Sequence, residues 1–151
     1  MKQRINLLLI ILWMLFIFVM SAQTGVESGN TSDRIVQLIG AIGIDVESSL
    51  GETIHFLIRK AAHFFEYFIL SLLCYNYLRA FMEGKKKYIW SIIISFLYAC
   101  SDEFHQTFVP GRVGSFMDVF IDTLGASAAM LFVYLYHFMK NNLENRLEMT
   151  E

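Results

Sequence analysis

The sequence predicts an all-α membrane protein, a polytopic bundle of four transmembrane helices plus a short extracytoplasmic amphipathic helix. Three observations carry that expectation. Hydrophobic residues make up 56% of the 151 residues and charged residues 17%, against about 45–50% and about 25% in soluble domains. Four apolar runs approach the roughly 20 residues that span the hydrocarbon core of a bilayer. Three of those runs collect their ionisable residues at one end. The length suits one domain, so residues 1–151 are expected to form a single membrane unit. The composition excludes a disordered chain. A net charge of −2 supplies no field for nucleic acid, which is not expected as a partner. Cys74 and Cys100 have neither a disulfide framework nor metal-type spacing, and both lie in apolar runs where packing is the expected role.

The runs are expected to span at about residues 5–22, 61–81, 88–105 and 116–139. Lys2 and Arg4 before the first apolar run also fit a signal peptide. Its length and the poor cleavage site at Met20-Ser21-Ala22 favour a retained helix instead. Between the first and second runs, the stretch Asp33 to Ile44 has the spacing of a short amphipathic helix, capped by Ser32 or Asp33. It is too short to span and would lie on the outer surface or cover the bundle. The second helix is expected to begin near Gly51–Glu52, since nothing from Thr53 to Phe81 breaks it. The fourth run carries Gly125-Ala126-Ser127-Ala128-Ala129, a small face suited to close helix contact.

Orientation follows from the basic residues. With both termini cytoplasmic, Lys2, Arg4, Arg79, Lys85, Lys86, Lys87, Lys140 and Arg146 lie inside, and Arg34, Arg59, Lys60 and Arg112 outside. Tyr88, Trp90, Tyr134 and Tyr136 then fit an inner aromatic belt. Trp13 lies too deep for a belt and is expected to pack between helices.

In this orientation the ionisable groups within the runs share the outer depth. Arg59, His63 and Glu66 fall on one helical stripe bordered by Tyr67. The third run ends in Asp102, Glu103, His105 and Gln106, the Pro110-Gly111 turn is followed by Arg112, and the fourth run opens with Asp118 and Asp122. Charged groups in spanning segments usually pair, face the interior or line a site. Glu66, Asp102, Glu103, Asp118 and Asp122 outnumber Arg59, Lys60 and Arg112. A dry site could not keep all five acids ionised unless a proton, a cationic histidine, a metal or water entered it.

Three chemistries fit such a pocket. Arg59, Lys60 and Arg112 could hold an anionic head group. His63, Glu66, Asp102, His105, Asp118 and Asp122 could ligate a divalent metal, although no H-E-x-x-H signature is present. His63, Glu66, Asp102 and His105 could act as catalytic residues that move protons on a bound lipid-linked substrate, and with a metal bound the protein would instead be a metal-dependent intramembrane hydrolase or transferase. The plainer alternative is an ion-pair network that locks helices together or binds a protein partner, for instance Arg59 with Asp118.

Three blocks of residues resemble the VanZ-like family of bacterial membrane proteins, over Ser21 to about Gly125. They are Ser21-x-Gln23-x-Gly25 with Ser28 and Ser32; Arg59-Lys60-x-x-His63-Phe64-x-Glu66-Tyr67; and Tyr98-Ala99-x-x-Asp102-Glu103-x-His105-Gln106-x-Phe108-Val109-Pro110-Gly111-Arg112, followed by Asp118-Val119 and Asp122-x-x-Gly125. The second and third together are specific. The resemblance implies the bacterial cytoplasmic membrane, an envelope context, and Ser21, Gln23, Ser28 and Ser32 close to the same pocket. The family's name-giving member is associated with low-level resistance to the glycopeptide teicoplanin. The expected ligand is therefore an anionic membrane lipid or a lipid-linked cell-wall precursor, and the resemblance does not choose between binding and catalysis.

Overall fold

A computed structural model describes residues 1–41 and 51–148. These fold into five helices with no strand among them: α1 (Lys2–Ser21), α2 (Gly25–Ala41), α3 (Gly51–Leu78), α4 (Lys86–Gln106) and α5 (Phe116–Glu148). The all-helical expectation holds. By length and composition, α1 and α5 (Phe116–Leu147) are apolar enough to cross a membrane, with mean hydropathies of 2.3 and 1.6. On α3, Arg59, Lys60, His63 and Glu66 run from the early turns to the middle of the helix, and on α4 Asp102, Glu103 and His105 lie in the last turns.

The helix α1 has one buried face, Ile10, Ile17 and Ser21, while Leu8, Ile11, Leu12, Leu15 and Val19 are exposed. Polar bonds tie it into the bundle. The Trp13 indole donates to the Glu66 carbonyl at 2.9 Å, Tyr98 Oη donates to the Met14 carbonyl at 2.6 Å, and Asn6 Nδ2 donates to the Asn76 carbonyl at 3.3 Å. Trp13 is thus a packing residue, as expected, with its N–H satisfied.

The amphipathic helix starts earlier than the apolar pattern predicts. It begins at Gly25 rather than after Ser32 or Asp33, because Thr24 and Glu27 make a capping box. Glu27 Oε2 accepts from the Thr24 backbone N–H and hydroxyl, each at 2.9 Å, and the Glu27 N–H donates to Thr24 Oγ1 at 3.3 Å. Ser32 lies inside the helix and donates back to the Ser28 carbonyl at 3.2 Å. The end of the expected segment, residues 42–44, lies outside the described residues.

Helix α3 does begin at Gly51, and buries Tyr67, Leu70, Ser71, Cys74, Tyr75 and Leu78 on one face. It stops at Leu78, short of the expected 81, because the chain must reverse. The Ala80 and Phe81 N–H groups fold back on Tyr77 and Leu78, and Gly84 adopts φ +59°, a left-handed value that glycine takes without strain. The buried face of α4 is unusually polar: Ser91, Ser95, Ala99, Asp102, Glu103 and Gln106. Helix α5 continues well past the apolar limit at 139, since nothing in Asn141 to Glu148 breaks it and Lys140 pairs with Glu144 one turn on at 3.7 Å.

Helices α3 and α5 make the closest approach. A Cβ on Gly125 would lie 2.1 Å from the Phe64 carbonyl oxygen, and the neighbouring Ala126 and Ala129 are fully buried. The small-residue face read from the sequence is used for this contact. Cys74 sits in the core, whereas Cys100 is exposed on α4, contrary to the packing role expected for it.

Candidate functional site

The polar ends of α3, α4 and α5 meet, and the start of α2 roofs them. The Arg59, His63 and Glu66 stripe lines a cavity of about 110 Å³ together with Met20, Ser21, Gln23, Ser28, Thr31, Ser32, Ile35, Ile58, Ala62, Asp102 and Arg112. Such a volume admits several waters or a small anionic group. The i, i+4, i+7 spacing of the α3 stripe puts all three side chains on one face, as the sequence predicts. Ser28 and Ser32 of the first block lie beside the pocket, as the resemblance implies, and the sequence missed Thr31 between them. The spacing of Ser28, Thr31, Ser32 and Ile35 along α2 is the signal that could have revealed it.

Arg112 reaches the cavity from the loop between α4 and α5. Its Nε donates to the Gln23 carbonyl at 3.2 Å and Nη2 to the Met20 carbonyl at 3.5 Å. It therefore caps carbonyls at the end of α1, where a cation also meets the negative end of the helix dipole. The loop is fixed further by the Gly25 N–H, which donates to the Pro110 carbonyl at 3.1 Å. A Cβ on Gly25 would lie 2.3 Å from the Gly111 oxygen, and Gly111 itself has φ +74°.

Lys60 forms an ion pair with Asp118 and lies over the Phe56 ring, 5.1 Å from its centroid. The partner of Asp118 is therefore Lys60 and not Arg59. Arg59 has no hydrogen bond or ion pair among the described residues, and its side chain is exposed at the cavity wall. Of the three basic residues expected at the site, one is consumed by an acid, one clamps the backbone and one is left free.

One turn along, His63 Nδ1 lies 3.3 Å from Asp122 Oδ1. Asp122 is 0% exposed, and neither carboxylate oxygen accepts a hydrogen bond. Gln106 Nε2 bridges two acids, donating to Asp102 Oδ2 at 3.1 Å and to Glu103 Oε1 at 3.0 Å. The other oxygen of Glu103 accepts from the Ser115 N–H at 2.8 Å. Asp102 Oδ1, Ser21 Oγ and Tyr67 Oη are buried without a hydrogen-bond partner. Buried polar atoms in folded proteins are normally satisfied, so this concentration of unsatisfied atoms singles the region out.

His105 is placed apart. Its ring packs tilted against Phe18 of α1 with centroids 4.5 Å apart, and it does not line the cavity. Glu103 does not line the Arg59 cavity; it lines a second cavity of about 320 Å³, which opens between α4 and α5 beside Cys100, Phe104 and Phe116. His63, Glu103 and Asp122 each present one ligand atom, all within 4.8 Å of one another, and could hold a metal ion.

A family model described as VanZ/LLP1 matches residues 6–138. No curated protein and no solved structure matches the chain. The match takes in every helix described above except the first residues of α1 and the tail of α5, and the chain belongs to the VanZ/LLP1 family.

Proposed function

We propose that this VanZ/LLP1 protein is a four-span protein of the bacterial cytoplasmic membrane whose cavity binds an anionic head group, from a lipid or a lipid-linked cell-wall intermediate. Both termini lie in the cytoplasm and the cavity opens outward. The family's general link to teicoplanin resistance fits a ligand of the cell envelope.

Support for the four spans comes from an inverted distribution of side chains. Leu57 and Phe65 on α3, and Ile89, Leu97 and Phe104 on α4, are exposed, while Ser91, Ser95, Asp102 and Asp122 are buried. Lipid makes the first group costless and the second group expensive unless it faces inward. The basic loop Lys85–Lys87 supports the orientation.

The observation that carries the binding role is the free Arg59 guanidinium at the wall of a polar cavity. Its planar fork of donors matches phosphate or carboxylate oxygens. Arg112 retains donors beyond the two it spends on α1, and the hydroxyls of Ser28, Thr31 and Ser32 complete a polar lining. Glu66 and Asp102 on the same wall disfavour a ligand of high negative charge.

The test is native mass spectrometry of the protein released from mild detergent. The wild type should carry one anionic lipid per chain. Arg59→Gln should lose it, with affinity reduced at least about ten-fold, or about 1.4 kcal/mol, and with an unchanged melting temperature. Equal lipid retention by Arg59→Gln, or a wild type that carries none, rejects the role.

A further inference from the structure

We propose that His63, Glu103 and Asp122 form a binding site for one divalent transition-metal ion, with zinc the ion that suits one imidazole and two carboxylates. The three residues come from α3, α4 and α5, so an ion there would join the three helices that build the polar end. Their ligand atoms lie within 4.8 Å of one another. In a tetrahedral zinc site, bonds of about 2.0–2.2 Å place two ligand atoms roughly 3.3–3.6 Å apart, so side-chain shifts of about 1 Å close the triad.

Charge points the same way. Asp122 is fully buried with both oxygens lacking a hydrogen bond, and His63 Nδ1, which faces it, also lacks one. The neighbouring cations are committed elsewhere, Lys60 to Asp118 and Arg112 to the carbonyls of Gln23 and Met20. A neutral imidazole, two carboxylates and a dication sum to zero, which offsets the cost of two buried carboxylates that pair with no lysine or arginine among the described residues.

The surroundings have the form of an outer shell. Glu103 is oriented by Gln106 Nε2 and by the Ser115 N–H, the kind of support that fixes ligating carboxylates. There is also a route of entry from two sides. His63 lines the cavity that holds Arg59, and Glu103 lines the groove between α4 and α5. Three protein ligands leave a coordination position open, as in catalytic rather than structural zinc sites. An ion at this position would make a bound water more acidic or polarise a phosphoryl oxygen.

This site does not depend on the anion-binding reading. Arg59→Gln, which tests that reading, should keep the metal. The experiment uses the full chain in detergent, stripped with a chelator and titrated with Zn²⁺, and in parallel with Co²⁺ followed by its visible absorption. The expected result is one Zn²⁺ per chain and the strong visible bands of low-coordinate cobalt. Asp122→Asn and Glu103→Gln should each weaken Zn²⁺ affinity by more than the roughly 10–100-fold lost with an outer-shell partner, while Glu66→Gln keeps full stoichiometry. The proposal is overturned if wild-type protein takes up no stoichiometric ion, a result that needs no variant to fold. It is equally overturned if folded Asp122→Asn and Glu103→Gln bind Zn²⁺ as the wild type does.

Discussion

At the Lys85–Lys87 end of the bundle, Tyr75 Oη and His137 Nε2 meet across α3 and α5 at 2.9 Å, and Tyr75 packs on Tyr88 with centroids 5.1 Å apart. Lys87 lies over both tyrosine rings, at 5.9 Å and 5.8 Å. At the Arg59–Asp122 end, Asp102, Asp122, His63, Tyr67 and Ser21 each keep a buried polar atom without a hydrogen bond. Both ends place polar groups between the same helices. At the first, Tyr75 and His137 satisfy one another and act as glue, and only Gln3 Oε1 and Ser71 Oγ on the nearby turns of α1 and α3 are buried without a partner among the described residues. At the second the protein's own atoms leave donors and acceptors over, in a cavity with a free guanidinium. Polar groups between helices therefore do not by themselves indicate a site. What separates the two ends is the gathering of unsatisfied ionisable groups, Asp102, Asp122 and His63, at and beside one cavity.

Several substitutions would break or sharpen that contrast. The largest effect should come from Gly125→Leu, because even a Cβ there meets the Phe64 carbonyl at 2.1 Å. Forcing α3 and α5 apart should cost at least the upper end of the roughly 1–3 kcal/mol of ordinary overpacking. It should also destroy both ends at once, as loss of the folded monomer on gel filtration would reveal. Arg112→Gln removes charge-assisted bonds to two carbonyls of the α1 terminus. Thermal unfolding should register a loss of about 1–2 kcal/mol. Arg59→Gln should stay within about 0.5 kcal/mol of wild type by the same assay. If the two arginine variants were equally stable, the division of labour between clamp and ligand-binding cation would fail.

Tyr75→Phe deletes the bond to His137 and should cost about 1 kcal/mol. Lipid and metal content should not change, since the satisfied end holds no ligand. A loss of bound lipid in this variant would mean the two ends are coupled.

The smallest effect concerns the roof of the cavity. The Thr24 backbone N–H and hydroxyl hold the Glu27 carboxyl below its ordinary value of 4.5. A depressed pKa marks a folded state that prefers the ionised form. The capping box thus contributes fully above that ordinary value and is lost as pH falls through the lowered one. Amide exchange at the start of α2 should quicken over that acid range, and Glu27→Gln should exchange independently of it. Unchanged protection in acid would show that the box does not hold α2 in place.

Much of the site was legible because helical periodicity is local information. The spacing of Arg59, His63 and Glu66 fixes a shared face whatever the neighbours do. Pairing between helices is not local. That Lys60 rather than Arg59 meets Asp118 depends on the register of α3 against α5, which the tight contact at Gly125 sets. The rotation of α4 was likewise hidden. Asp102 and Glu103 are adjacent in sequence, yet one faces the Arg59 cavity and the other the groove beside Cys100, while His105 turns to Phe18. The early start of α2 was readable from Thr24-x-x-Glu27, but the apolar pattern beginning at Ile35 drew the boundary later. The helix ends at Leu78 and Glu148 differ from the apolar limits because an apolar run marks where lipid would be, not where backbone hydrogen bonds stop.

The account turns on the polar cavity facing away from the cytoplasm. Thiol labelling in intact cells tests this most directly, with a membrane-impermeant reagent and Cys74 and Cys100 replaced by serine. Thr31→Cys, in the cavity wall, should be labelled from outside, and Asn141→Cys, at the far end of α5, only after the cells are opened. Labelling of Asn141→Cys in intact cells, with Thr31→Cys reached only after lysis, would contradict it.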